Sequence, residues 1–459
     1  MYGDNIMTIN ENIDITVQQT ETASYIDNLV VQGKIAQKEL EKQSDEDIDN
    51  VLHHLAKIFS THCREWAEKE LAVTRIGNAD DKEHKLALVV NQVFKGLYGT
   101  KTHGRLGGTQ RLIEYASPVG LIFAVVPLTN PIPNSLFKIM LSIKTRNAII
   151  FSYPGKTGKL ADEFIGLVQQ VLTEHGLPVS LVQVCTPPSH DKTHMLMQHP
   201  GVDMILATGG RNLVHAAYSS GKPAFGVGPG NVPVYISRSA HIQKAAANIV
   251  NGKIYDNGIV CGSESNLIVH PASKNDLISA LEANGAAILT SSEVEQAIQT
   301  LFNPETQYVS RENIGVCAAS LAAKANISRT YPIKLLVIPA EIGRHDFLSN
   351  EKMAPVLTLY TADEENGVSL AYSLICNEGA GHTAVIHSED PEEIHQFSTV
   401  MPAGRILVNT SATQGMLGET TELPVSFMQG SGTFGHNHST DPIIWKHLVN
   451  IKRVAHGLH

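Results

Sequence analysis

An α/β architecture built on parallel sheets is predicted by three features of the sequence. Short, continuously apolar runs alternate with longer segments of helical period. The runs are bounded by Gly, Pro and Asn rather than broken by alternating polar residues. The 459 residues also supply enough chain for two or three units with real cores. Continuous apolar strands alternating with helices mean βαβ units whose sheet is covered on both faces.

Residues 20–100 are predicted to be helical. Ser44-Asp45-Glu46-Asp47 places carboxylates at a helix start, and Ile48, Val51, Leu52, Leu55, Ile58 and Phe59 then repeat with a 3.6-residue period. From residue 119 the pattern changes. VGLIFAVV, NAIIFSYP, LVQVC, VDMILA and VPVYIS read as strands. The segments NSLFKIMLSIKTR, TGKLADEFIGLVQQVLTEHG and RNLVHAAYSS read as the helices between them. A second βα unit is expected over 240–430, with strands NLIVHP, KLLVIP and HTAVIH. The expected division is a cofactor-binding domain over 1–236 with a helical N-terminal layer, a catalytic domain over 237–430, and a C-terminal oligomerisation segment over 431–459. Parallel sheets of this kind bind ligands at the carboxyl ends of their strands.

Composition narrows the function. A net charge of -10 with no Lys/Arg-rich run argues against nucleic acid or an anionic membrane surface as partner. The longest apolar run, Val119 to Val126, is too short to span a bilayer. Cys63, Cys185, Cys261, Cys317 and Cys376 are odd in number and scattered, which suits a reducing cytoplasm better than a disulfide framework or zinc site. The histidine pairs His53-His54 and His436/His438 lack a third ligand at useful spacing, so no metal is expected. The polar, acidic start is no signal peptide, and residues 1–17 show no amphipathic stripe.

Several short stretches carry chemistry. Cys261 lies in DNGIVCGSES between Gly258 and Gly262, among residues that do not look like core. Asn130, in PLTNPIPN after an apolar strand, is placed either to cap the next helix or to donate to a developing oxyanion. ATGG (207–210) joins a strand to a helix, where glycines let a phosphate approach free N–H groups. His382 sits in the Gly-rich turn EGAGHTAVIH. GVGPGN (226–231) is not GxGxxG, and PGKT (154–157) lacks the first glycine of a P-loop.

Taken in order, TNP (129–131), ATGG, SSGKPAFGVGPGNVPV (219–234), DNGIVCGSES, EKMAPVL (351–357), EGAGHTA (378–384) and RILVNTSATQG (405–415) resemble the CoA-acylating branch of the aldehyde dehydrogenase superfamily. The likeness runs from about residue 30 to the end. It implies a Rossmann-type cofactor domain, an α/β catalytic domain and a small oligomerisation element. It implies Cys261 as nucleophile, Asn130 with the Cys261 N–H as oxyanion hole, and His382 near the reacting thiols. Glu351 would hold the nicotinamide ribose, with Thr208, Gly209, Pro229 and Gly230 against the cofactor. Tyr153 and Pro154 stand where many relatives have His-Pro, which leaves NAD and NADP both open.

Hydrolytic relatives carry a glutamate that activates the deacylating water; the comparable stretch here, Gly226 to Asn231, has no carboxylate. Water attack on a Cys261 thioester should then be slow, and coenzyme A would take its place. Within the acylating branch, TRIGNADDK (74–82) and PGNVPVYI (229–236) look most like sulfoacetaldehyde enzymes, with acetaldehyde or propanal and succinate semialdehyde as alternatives. A hydrolytic enzyme forming the free acid is a further alternative. An anionic substrate needs donors; Arg211, His215, Arg405, Ser411, Thr413 and Gln414 are the candidates. A homodimer or homotetramer is expected from the resemblance, with Arg111–Gly120 and the tail (442–454) as contact elements.

Overall fold

The computed structural model describes the backbone of residues 4–458 and the side chains of residues 20–458. The expectation about an amphipathic stripe over residues 1–17 therefore falls outside the side chains described. Four long helices open the chain: α1 (Asp4–Glu41), α2 (Asp45–Thr61), α3 (Cys63–Thr74) and α4 (Ala79–Leu88), followed by the short α5 (Phe94–Leu97). Ser44 begins α2 as expected: its Oγ accepts from the Asp47 N–H at 3.1 Å, and the Asp47 carboxylate accepts from the Ser44 N–H at 3.2 Å. This capping box satisfies two backbone donors at the helix start.

Strands β1 (Gly104–Gly108) and β2 (Leu112–Pro118) form an antiparallel pair. Next come β3 (Leu121–Val125), β4 (Ala148–Ser152), β5 (Val182–Val184), β6 (Met204–Thr208) and β7 (Ala224–Val227), a parallel five-stranded sheet in the order β5-β4-β3-β6-β7. Helices α6 (Pro131–Lys144), α7 (Gly158–Glu174), α8 (His190–Gln198) and α9 (Arg211–Ser219) connect its strands. The residues of β3 and β4 are all buried, as continuous apolar runs require.

The second parallel sheet has seven strands, in the order β10-β11-β12-β9-β8-β13-β14. They are β8 (Val232–Ile236), β9 (Glu264–Val269), β10 (Ala286–Ile288), β11 (Leu335–Pro339), β12 (Val356–Thr361), β13 (Gly381–His387) and β14 (Ala403–Val408). VPVYIS thus differs from expectation. It does not end the first sheet but pairs with β9 and β13 at the centre of the second. The chain crosses between the sheets at Gly228–Asn231, where Asn231 Nδ2 donates to Ser349 O at 2.8 Å and its Oδ1 accepts from Asn266 Nδ2 at 2.9 Å. Those contacts anchor β8 in the second sheet.

β15 (Val449–Ala455) runs antiparallel to β2, from Val449 opposite Pro118 to Ala455 opposite Leu112. The tail and the Arg111–Gly120 segment are therefore neighbours in one three-stranded sheet, β1-β2-β15. Among the described residues no helix is long and apolar enough to cross a membrane, and no group of three His, Cys, Asp or Glu could hold a metal.

The helical layer is locked to the first sheet by an aromatic cluster. Phe164 on α7 packs 5.0 Å from Phe59 of α2 and edge-on to Trp66 of α3 at 5.4 Å, and all three are buried. Such contacts add to plain area burial. Phe164→Ala should cost about 3–5 kcal/mol, read as a lowered urea midpoint for the helical layer and first sheet. An unchanged midpoint would show that the layer is held elsewhere.

Candidate active site

The first sheet supplies one wall of the site through its topology. From β3 the chain moves outward to β4 and β5, then returns to β6 on the other side. Connections therefore diverge beyond the carboxyl ends of β3 and β6, leaving a crevice there. Asn130 follows β3 and Thr208–Gly210 follows β6, so both line it. The second sheet closes the crevice with residues that precede its strands: Pro229 before β8, Cys261 before β9 and Glu351 before β12. Together they enclose a cavity of about 290 Å³.

Cys261 is presented by three consecutive left-handed residues, Asp256 (φ 46°), Asn257 (φ 54°) and Gly258 (φ 74°). Asp, Asn and Gly tolerate this conformation best, which explains the sequence D-N-G. Asn257 Nδ2 holds the turn by donating to Gly77 O and Gly315 O, each at 2.9 Å. Burial, reinforced by the Glu351 carboxylate, pushes the Cys261 thiol up to about 12, against the pull of Arg405 and of the Cys261 and Gly262 N–H groups. Gly230 must lack a side chain, because a Cβ there would lie 1.9 Å from the Cys261 carbonyl oxygen.

Asn130 stands at the N-cap position of α6 but makes no side-chain cap bond. Its Oδ1 accepts from Lys85 Nζ at 2.5 Å, and its Nδ2 reaches Thr129 Oγ1 only at 3.4 Å. The amide is therefore turned toward the cavity as a donor. Glu351 Oε1 accepts from the Gly230 N–H at 3.0 Å. Burial, with Glu378 nearby, raises the Glu351 carboxyl to about 8. Glu351 is the one carboxylate among the described residues lining this cavity, and Gly228 and Pro229 add only backbone and ring to its wall.

A second pocket lies on the far side of Gly228 and Pro229, which border both. Arg211, His215, Tyr218, Glu378, His382 and His436 line it. His382 is buried; its Nδ1 lies 3.0 Å from Thr383 Oγ1 and its Nε2 has no partner. Burial and the Arg405 charge lower it to about 3, so the imidazole is neutral at pH 7. The two pockets are contiguous at Gly228 and Pro229. Helix α9 begins at Gly210 without a side-chain cap, leaving N–H groups for phosphate. The neighbouring Gly228 would also have open space at its Cβ position.

Four proposed substrate donors do not line the cavity. Arg405 is buried, and its guanidinium donates to His382 O (2.6 Å), Gly430 O (2.7 Å) and Thr440 O (2.9 Å). It braces the His382 strand through these carbonyl contacts. Ser411 caps the helix Ala412–Leu417, Gln414 bonds back to Ser411, and Thr413 Oγ1 donates to Gly252 O at 2.9 Å. Arg211 and His215 are on α9 at the second pocket, away from the cysteine wall. Tyr153 is buried, its hydroxyl donating to Ser135 Oγ at 2.6 Å, and Pro154 follows it outside both pockets.

Sequence reasoning missed Lys85, Asn134, Met416, Phe427 and Gln429 in the cavity wall. It also missed Lys138, wholly buried on α6, whose Nζ donates to Val125 O at 2.9 Å and Thr208 Oγ1 at 3.2 Å. Burial lowers its ammonium to about 7. A lone charge inside the apolar run LFKIML was the available signal for Lys138.

The family model described as the aldehyde dehydrogenase family matches residues 6–452. The chain is 33% identical to the succinate-semialdehyde dehydrogenase (acetylating) of Clostridium kluyveri over 436 residues, 94% of this chain and 95% of that one. It is 33% identical to the sulfoacetaldehyde dehydrogenase (acylating) of Cupriavidus necator, covering 93% of this chain and 88% of that one. The crystal structure of an acetylating aldehyde dehydrogenase from Geobacillus thermoglucosidasius superposes with a TM-score of 0.91 at 36% identity, covering 96% and 98% of the two chains. With the motif order, the paired parallel sheets and the cysteine cavity all agreeing, the chain belongs to the aldehyde dehydrogenase family.

Proposed function

We propose that this enzyme oxidises a short aldehyde with a nicotinamide cofactor and transfers the acyl group to coenzyme A, reversibly. The observation carrying this reading is the cavity itself. Cys261, Asn130 and Glu351 line one cavity, and its Gly228–Pro229 border has no carboxylate to activate water. The Cys261 thiol releases its proton to solvent as the ligands enter, its sulfur adds to the carbonyl carbon, and the oxyanion so formed is held by Asn130 Nδ2 and the Cys261 N–H. Glu351 Oε1 is engaged by Gly230, leaving Oε2 for a ribose hydroxyl. The nicotinamide, when bound, accepts the hydride. Cys261 is then left as a thioester, which the CoA thiol attacks from the His382 side of Pro229. His382 Nε2, neutral and unpartnered, can accept a hydrogen bond from that thiol and orient it, and the thiol proton passes to the Cys261 sulfur as it leaves.

The wall around Cys261 favours a small uncharged aldehyde such as acetaldehyde or propanal. Val260, Met416, Leu417 and Phe427 are apolar. The amide donors of Asn134 and Gln429 are already engaged by Phe427 O and by Met416 O and Ser426 O. The cation in the wall, Lys85, is paired with Asp256. An anionic tail would meet no unpaired cation among the described residues there. Sulfoacetaldehyde, supported by the sequence resemblance, and succinate semialdehyde are the competing substrates. We further propose NAD or NADP as the acceptor and a cytoplasmic location, consistent with five unpaired cysteines. The proposed units are a cofactor domain, a catalytic domain and a homodimer or homotetramer contact through the β1-β2-β15 sheet.

The deciding measurement is reduced-cofactor formation from each of these aldehydes, with and without CoA. Steady turnover should require CoA, should be fastest with acetaldehyde or propanal, and should fall at least ~10³-fold in Cys261→Ser. Equal rates without CoA would establish hydrolysis instead. A second experiment addresses the thiol. With its acidity suppressed to about 12, Cys261 in the free enzyme is protonated at neutral pH. Its iodoacetamide alkylation rate should rise about tenfold per pH unit through the alkaline range. A plateau near neutrality would mean that the thiolate is preformed.

A further inference from the structure

The stretch TRIGNADDKEHK has no part in the chemistry above, yet it packs against both catalytic loops. Two of its contacts hold the Asn130 loop, and a third comes from just upstream. Lys82 Nζ donates to Thr129 O at 3.1 Å, and Lys85 Nζ donates to Asn130 Oδ1 at 2.5 Å. Glu70, just upstream on α3, accepts from the Ile132 N–H at 3.1 Å and from Lys82 Nζ at 2.8 Å. The same lysines reach the cysteine loop. Asp256 Oδ2 accepts from Lys85 and, at 3.4 Å, from Lys82, while its Oδ1 accepts from the Asn78 N–H at 2.8 Å. Lys82, Lys85, Glu70 and Asp256 are all buried.

We propose that Lys85 is a positioning residue that sets which end of the Asn130 amide faces the substrate. This rests on the reading of Asn130 as the oxyanion donor. The two ends of a carboxamide are nearly equal in size, so shape alone does not choose between them. An ammonium only donates, and Lys85 therefore accepts no orientation but the one with Oδ1 toward it. Nδ2 is then directed into the cavity, where the oxyanion on the Cys261 adduct forms. Turned over, the amide would present a carbonyl oxygen to that charge and oppose the reaction. The cation also polarises the amide and strengthens its N–H donors. Asp256, five residues before Cys261, keeps Lys85 from reaching into the cavity and ties the donor and nucleophile loops to one anchor.

A double-mutant cycle on the pre-steady-state rate of reduced-cofactor formation tests this, at saturating aldehyde and cofactor. Asn130→Ala should slow that step ~10²–10³-fold, and Lys85→Met ~10–10²-fold. The double variant should be no slower than Asn130→Ala alone, because Lys85 acts only through the amide. Iodoacetamide alkylation of Cys261, which forms no oxyanion, should change less than ~3-fold in Lys85→Met. Lys82 remains beside Asp256 in that variant, and circular dichroism checks the fold. If it does not fold, Lys85→Gln carries the cycle, since glutamine can offer Asn130 either amide end. It should lose rate in the native background and none in Asn130→Ala. Losses that multiply in the double variant, or an unchanged rate in the single one, overturn the proposal. An unchanged rate in Asn130→Ala alone would instead remove the oxyanion reading itself.

Discussion

The site depends on a set of four buried charges, Glu70, Lys82, Asp256 and Lys85, that no solvent stabilises. Such groups are costly to bury singly and are tolerated because each has an opposite partner at hydrogen-bond distance. The helical layer contributes Glu70 and both lysines, the second unit contributes Asp256, and the first sheet contributes the Asn130 loop that they grip. Three parts of the chain far apart in sequence thus meet at one neutral cluster. The strained D-N-G turn is held by the same junction, since Asn257 is anchored on Gly77. Strain of this kind persists only where surrounding contacts over-determine it.

Burial also sets the chemistry of the cavity. The same loss of water raises the Cys261 thiol, raises the Glu351 carboxyl and lowers His382, so each is biased toward its neutral form. A reactive thiolate is accordingly not a resting property of this cysteine. In the proposed reaction it is generated as ligands enter, with the Cys261 and Gly262 N–H groups placed to donate to it. Two pockets meet at Gly228 and Pro229, one holding Cys261 and Asn130 and the other His382, so the proposed reaction would bring the aldehyde and the second thiol to the sulfur from different sides. Gly230 keeps that border thin, because any side chain there would collide with the Cys261 carbonyl.

The strands legible in advance were β3, β4, β5, β6, β8, β9, β11 and β13, because a mostly apolar run between turn residues has few other uses. The sheet to which β8 belongs was not legible. Its apolar run suits either sheet equally, and the choice rests on Asn231 and its bonds to Ser349 and Asn266. Among site residues, Cys261, Asn130, Glu351, Thr208, Gly209 and Pro229 were brought to one cavity. Arg405, Ser411, Thr413 and Gln414 were not, because their polar groups satisfy nearby backbone or cap a helix, a use that composition does not distinguish from ligand binding.

From the sequence alone came the parallel α/β class, the cysteine that lines the cavity, the family and the missing carboxylate at Gly226–Asn231. Each of these is a local pattern: a period, a motif, or a residue type absent from a short stretch. Tertiary structure alone decided which side chains face the substrate and which way the Asn130 amide points. Those depend on distances between segments separated by 45 and 171 residues, Lys85 to Asn130 and Lys85 to Asp256. A lysine in DDKEHK reads as one more charge on a solvated helix until the fold removes its water.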